Sequence, residues 1–152
     1  MPTRTDRAGF TLVEVLIVVV ILGILAAIVI PQYSNASQEA VKATLRRQLQ
    51  TIDDQIEVYR VNNAGVLPTA DATAPFGGGG GWGVLVSARY LREAPFNGYT
   101  GGSVVAAGTT RSSAAAAMPG HPAGWQFVVT GDRLDVFASG YDEVLNRLSN
   151  EP

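Results

Sequence analysis

Glu14 is the single charge in the 21 residues from Phe10 to Ile30. A carboxylate within a membrane helix costs about 2.5–3.5 kcal/mol at the bilayer centre and less near an end, so it calls for a partner or an interfacial position. Few other residues could do chemistry. Cysteine is absent, which excludes disulfides, Cys-ligated zinc and thiol nucleophiles. His121, beside Pro122, is the one histidine and reads as a loop surface residue, not as a triad member. Gly78, Gly80 and Gly83 spell G-x-G-x-x-G, but they fall in and after the glycine run Gly77–Gly81, with no strand before it. Dinucleotide binding needs a strand–turn–helix context that this run lacks. Asn35-Ala36-Ser37 is a formal glycosylation sequon and reads as helix surface. The formal net charge is −2, and Arg89, Arg92 and Arg111 are the loop cations before the C-terminal hairpin, so no nucleic acid is expected as a partner. No catalytic constellation is visible, and the chain is expected not to be an enzyme.

The elements that position Glu14 follow from hydrophobic patterning. Residues 1–9 are short and polar, with Arg4 and Arg7; the apolar run FTLVEVLIVVVILGILAAIVI then extends to Pro31. As a helix, that run covers roughly 32 Å, about one hydrocarbon thickness. No Lys or Arg follows until Lys42, so the positive-inside rule keeps the N-terminus cytoplasmic and translocates the rest. A secretory signal peptide would have a shorter apolar core and a small-x-small cleavage site; here Leu25-Ala26-Ala27 leads into more isoleucine and valine. A plain single-pass anchor leaves Glu14 without a reason.

Beyond Pro31, Val41 (or Lys42), Leu45, Leu49, Ile52, Ile56 and Tyr59 recur at three- and four-residue steps with charged residues between them. That spacing predicts an amphipathic helix, giving one helix over about 10–62 that Asn62-Asn63-Ala64-Gly65 ends. Pro31 lacks an N–H and crowds the Ala27 carbonyl, and Gly23 weakens the same stretch, so kinking or local melting is expected there. Residues 63–152 read as a loop-rich α+β region whose small antiparallel sheet is expected to pack on the second half of the long helix. A short helix is expected from Trp82 to Leu91, a turn at Asn97-Gly98 where both residues tolerate positive φ, and a strand at 103–107. Trp125–Val129 and Leu134–Ala138 alternate with period two and predict an antiparallel hairpin. Tyr141, Val144, Leu145 and Leu148 predict a short C-terminal helix with Ser139 as N-cap and Asp142 three residues on.

Gly9-Phe10-Thr11-Leu12-Val13-Glu14, the apolar run through Gly23 and the closing Pro31-Gln32-Tyr33 resemble the N-terminus of type IV prepilins and type II secretion pseudopilins. The resemblance covers residues 9 to about 35. It implies a cytoplasmic leader over 1–9, a transmembrane and filament-core half over 10–30, and a periplasmic globular domain over 31–152. It implies cleavage between Gly9 and Phe10 by a prepilin peptidase, which also N-methylates Phe10. Gly9 offers a protease an unobstructed backbone, and a methylated amine still carries charge. Glu14 would pair with the Phe10 amine of an adjacent subunit, and the Gly23–Pro31 segment would melt during assembly. The partners implied are the peptidase, membrane lipid, an inner-membrane assembly platform, and identical and related subunits of a periplasmic or cell-surface filament. Val66-Leu67-Pro68-Thr69, Ala88-Arg89-Tyr90-Leu91 before a proline, and Trp125 opening a hairpin are similar to major pseudopilins of type II secretion, implying a filament that drives protein export. The alternative is a type IV or competence pilin for adhesion, motility or DNA uptake. Such pseudopilins often carry a calcium loop near the C-terminus. Here Ser139-Gly140-Tyr141-Asp142-Glu143 has two carboxylates where a calcium site needs six or more oxygen ligands, a weak match to that loop; the cofactor expected is none, with calcium the alternative left open.

Overall fold

The computed structural model describes residues 9–68 and 81–151. Thr69 and the glycines Gly77–Gly80 lie outside them, as do residues 1–8 of the expected leader. The chain divides into two compact units, 1–37 and 38–152. The first helix, α1, spans Leu12–Asn62. It is followed by α2 (Gly83–Ser87), β1 (Val105–Ala107), α3 (Arg111–Ala115), β2 (Trp125–Thr130), β3 (Arg133–Ala138), β4 (Tyr141–Asp142) and β5 (Arg147–Leu148). The α+β class read from the sequence is the one observed.

Within the first unit the large apolar side chains of α1 from Leu12 to Ile30 are all exposed. In the second unit it is amphipathic. Leu45, Leu49, Ile52 and Ile56 are buried and form one core with Trp82, Leu85, Trp125, Phe127, Val136 and Leu148, while Val41 and Tyr59 pack at its edge. Lys42 shares the stripe by sinking its stem, its side chain 8% exposed, and pairing its ammonium with Glu39 at 2.6 Å and Glu151 at 3.0 Å. These carboxylates, Glu39 first, hold the ammonium above its ordinary range. The Leu148 amide, at 2.8 Å, and then Lys42 hold Glu151 below its own. The pair therefore stabilises the fold between roughly pH 5 and 10, fading in acid as Glu151 protonates and in strong base as Lys42 deprotonates.

The stop at Asn62 uses an unusual residue. The Gly65 amide donates to the Arg60 carbonyl at 2.9 Å, a Schellman closure, but the left-handed residue before it is Ala64, at φ 55°.

The sheet differs from expectation in one pairing. Trp125–Thr130 and Arg133–Ala138 form the expected antiparallel hairpin, with Trp125 opposite Ala138 and Thr130 opposite Arg133. Gly131, at φ 61°, takes the first position of the tight turn. Strand β1, however, runs parallel to β2, Val105 opposite Trp125, so the sheet is mixed and not antiparallel. A parallel pair needs a crossover, and the 108–124 connection carrying α3 supplies it. Thr110 caps α3, accepting from the Ser113 amide while its own amide donates to the Ser113 hydroxyl.

The predicted C-terminal helix is absent. Residues 141–148 form a β-hairpin, Tyr141 opposite Leu148 and Asp142 opposite Arg147. Asp142 does not support a helix start: its Oδ1 accepts from the Val144 and Leu145 amides at 2.9 and 3.1 Å, closing a turn. Asn146, at φ 52°, completes the reversal. Ser139 is buried and caps nothing; its carbonyl accepts from Asn97 Nδ2 at 2.9 Å.

Asn97 holds the loops in place. Its Nδ2 also donates to the Gly124 carbonyl at 2.7 Å, and its Oδ1 accepts from the Tyr99 and Thr100 amides at 2.8 and 3.1 Å. The expected turn is therefore built by the Asn97 side chain, and Gly101, at φ 82°, carries the left-handed backbone instead. Loop 97–102 lies so close to β2 that a Cβ on Gly124 would stand 2.1 Å from the Gly102 carbonyl oxygen.

A chain beginning at Ser34 is expected to elute as a soluble monomer on size-exclusion chromatography, because its apolar stripe is covered by its own sheet. Within it, Ala64→Gly should raise unfolding stability by about 0.5–1 kcal/mol by relieving left-handed strain. Aggregation, or an unchanged midpoint, would contradict the packing or the cap.

Candidate functional site

At the N-terminus the geometry grows from four consecutive positions. Phe10 is 87% exposed, and Thr11 stands just before the first helical residue, Leu12. Thr11 Oγ1 accepts from the Glu14 amide at 3.2 Å. In return, Glu14 Oε2 accepts from the Thr11 amide and hydroxyl, each at 2.8 Å. This is a reciprocal capping box, which satisfies amides that a helix start leaves without partners. It also explains why the helix begins at Leu12 and not at Phe10. The Thr-x-x-Glu spacing is legible in the sequence, yet it escapes a reading that asks only what Glu14 pairs with outside the helix.

The box turns Glu14 back toward residue 10. Both of its hydrogen bonds are made by Oε2, and Oε1 has no partner among the described residues. Cleavage before Phe10 would leave the Thr11 amide, and so the box, intact. It would add an ammonium on Phe10, one residue upstream of Thr11 and one helical turn from the Glu14 carboxylate. Such a site can cap a helix and bind a cation at once.

Gly23 and Pro31 lie farther along α1, and the helix passes both without a break. Apart from its chain neighbours and the helix's own backbone, no atom of the described residues comes within 4 Å of a Cβ built on Gly23, so their packing does not demand a glycine there. Leaving the α1 apolar surface in water would cost on the order of tens of kcal/mol. Among the described residues, α1 is the one helix long and apolar enough to cross a membrane.

The remaining candidates do not converge. His121 Nδ1 lies 2.9 Å from the Ala123 carbonyl oxygen and 3.2 Å from its amide, a contact within one loop. Among the described residues no three His, Asp or Glu side chains are placed to hold a metal ion. Of the G-x-G-x-x-G set, Gly78 and Gly80 lie outside the described residues, and Gly83 opens α2.

A second feature had no sequence signal: an acidic cleft where the far end of α1 meets the β2–β3 turn. Asp53, Glu57 and Arg60 face Asp132, Arg133 and Asp135 across it. Arg60 pairs with Asp132, and Arg133 with Asp135 at 2.6 Å. Asp53, open to solvent on one side, is pushed up to about 6 by partial burial and then by Glu143, Asp135 and Asp54, against the pull of Arg133.

With this geometry in view, relatives give it context. The model of the prokaryotic N-terminal methylation motif matches residues 4–30. Among curated proteins, type II secretion system core protein G of Pseudomonas aeruginosa is 38% identical over 60 residues, 40% of this chain and 42% of that protein. The Vibrio cholerae core protein G is 35% identical over 71 residues, 47% and 48% of the two chains. The Escherichia coli one is 31% identical over 63 residues, 41% and 43%. The chain thus spans less than half the length of the curated relatives it matches. No solved structure matches it. The fold and site, a long N-terminal helix with a methylation motif followed by a small α+β unit, are consistent with the pilin-like class. Within that class, the resemblance to type II secretion pseudopilins is borne out by the core protein G relatives.

The cleft yields a sign-specific prediction. Because folding raises the Asp53 pKa from 3.8 to about 6, its charge opposes folding above pH 6, and the penalty vanishes below pH 4. Asp53→Asn in the chain from Ser34 should therefore raise the thermal midpoint at pH 8, and the gain should shrink as pH falls to 4. A gain independent of pH would contradict this electrostatic account.

Proposed function

We propose that the chain is the precursor of a type II secretion pseudopilin, a structural and not a catalytic subunit. The observation that carries the reading is the methylation motif over residues 4–30, joined to a helix whose apolar surface nothing among the described residues covers. A prepilin peptidase cuts between Gly9 and Phe10 on the cytoplasmic face and methylates the new amine. Residues 10–30 span the inner membrane once, and residues 31–152 lie in the periplasm. An assembly platform lifts mature subunits from lipid into a helical filament of identical and related chains. There the apolar half of α1 exchanges lipid for its neighbours, and Glu14 meets the Phe10 ammonium of an adjacent subunit. The Gly23–Pro31 stretch, held by no packing of its own at Gly23, melts to let neighbouring helices adjust. Growth of the filament drives protein export.

The reading is tested by mass spectrometry of the membrane-extracted protein from a peptidase-competent cell. The expected mature chain begins with N-methyl-Phe10. An intact Met1, or a cut after Ala27, would overturn the proposal.

A further inference from the structure

The β4–β5 turn is built to present two aliphatic side chains. Asp142 fixes the Val144 and Leu145 amides, and the Tyr141 hydroxyl donates to Asn146 Oδ1 at 2.9 Å. At the tip of this framework Val144 and Leu145 are 69% and 58% exposed. Loose loops expose apolar groups at no great cost, but a hydrogen-bonded turn holding two of them outward is a preformed knob. Its surroundings are acidic: Asp142 and Glu143 against Arg147, with Glu143 near enough to Asp53 to oppose its ionisation.

A complementary groove of ≈ 570 Å³ lies between α1 and residues 91–96. Ile52, Leu91 and Pro95 contribute apolar lining, and Arg47 and Arg92 outnumber Glu93 among its charged groups. Gln48 Nε2 donates to the Phe96 carbonyl at 3.1 Å and so pins one wall to the helix. Successive helix residues are about 100° apart, which puts Thr44, Arg47, Gln48 and Thr51 on one flank of the Leu45–Ile56 stripe and Asp53 and Glu57 on the other. Lys42, on the Asp53 flank, pairs with Glu151 at 3.0 Å, and Glu151 accepts from the Leu148 amide of β5 at 2.8 Å, so groove and knob lie on opposite flanks of the unit. One copy cannot bring both to the same partner surface, so a contact between them is head-to-tail and propagates instead of closing into a dimer.

We infer that the Val144–Leu145 turn of one copy seats in the Arg47–Arg92 groove of the next copy along a filament, with Glu143 against the two arginines. The inference rests on the filament reading above and adds the surfaces through which the globular units touch. Repeated at every subunit, even a weak contact of this kind gains strength from the tether that the helical core provides.

The chain has no cysteine, so single thiols can be placed without background. Full-length Leu145→Cys/Ala94→Cys, assembled in its native cell and treated as sheared filaments with a short bismaleimide, is expected to give a ladder of dimers, trimers and higher species. Each single variant is expected to stay monomeric on the gel. Filaments that form without a ladder, or a single variant that cross-links equally well, overturn the contact and leave the filament reading intact. Failure of the unsubstituted chain to form filaments overturns the filament reading and the contact with it. A second arm covers loss of assembly in the double variant. Leu145→Asp should lower filament yield about tenfold, the size expected on losing one anchor residue, while Leu145→Met keeps it. An unchanged yield in Leu145→Asp overturns the contact.

Discussion

An apolar helix surface that the described residues leave bare constrains everything else in this protein. From Leu12 to Ile30 the large side chains are exposed, and the proposed function assigns that surface first to lipid and then to other copies of the helix. Non-directional burial of this kind holds subunits together but says little about where each one stops. A helix of valine, isoleucine and leucine can slide along another with small changes in energy. Whatever fixes axial position must come from a polar group within that surface or from the globular units outside it.

Glu14 is the polar group available, and its geometry gives it two uses. The capping box orients the carboxylate toward residue 10 through Oε2, which keeps the side chain from searching rotamers when a cation arrives. Preorganisation of this sort lowers the entropy lost on pairing. Capping and the proposed subunit pairing are thus not rival explanations: the cap would position the carboxylate that such pairing uses. In the globular unit the same economy recurs at Asp142, whose turn-closing bonds set out Val144 and Leu145.

How much of this was legible depends on the range of the interaction. The α1 stripe from Leu45 to Tyr59 and the Trp125–Ala138 hairpin announce themselves through periodicity, a local property that burial then rewards. Asp142 was misread because helix caps and closed turns draw on the same short polar side chains. What decided the matter was Tyr141 meeting Leu148 across a hairpin, and their spacing of seven fits a helix as well as a turn. The parallel pairing of β1 with β2 and the two hydrogen bonds from Asn97 Nδ2 to the Gly124 and Ser139 carbonyls join segments tens of residues apart, and no pattern within either segment records them. The acidic cleft likewise exists only once α1 and β3 are side by side. The Thr11–Glu14 box is the exception, a local signal hidden by attention to the carboxylate's distant partner.

The central claim is that the charge on Glu14, and not its capping bond alone, sets the register of assembly. Glutamine at this position can still reach back to the Thr11 amide, as capping boxes with Gln do, but it cannot pair ionically with an ammonium. Leucine does neither. Sheared filament yield and membrane-pool size, measured side by side for the unsubstituted chain, Glu14→Gln and Glu14→Leu, separate the two roles. Breaking one member of a buried pair costs about 3–5 kcal/mol, so both variants should insert and be cleaved yet yield filaments lower by roughly two orders of magnitude or more. Normal filament yield from Glu14→Gln would contradict the claim and leave Glu14 as a helix cap.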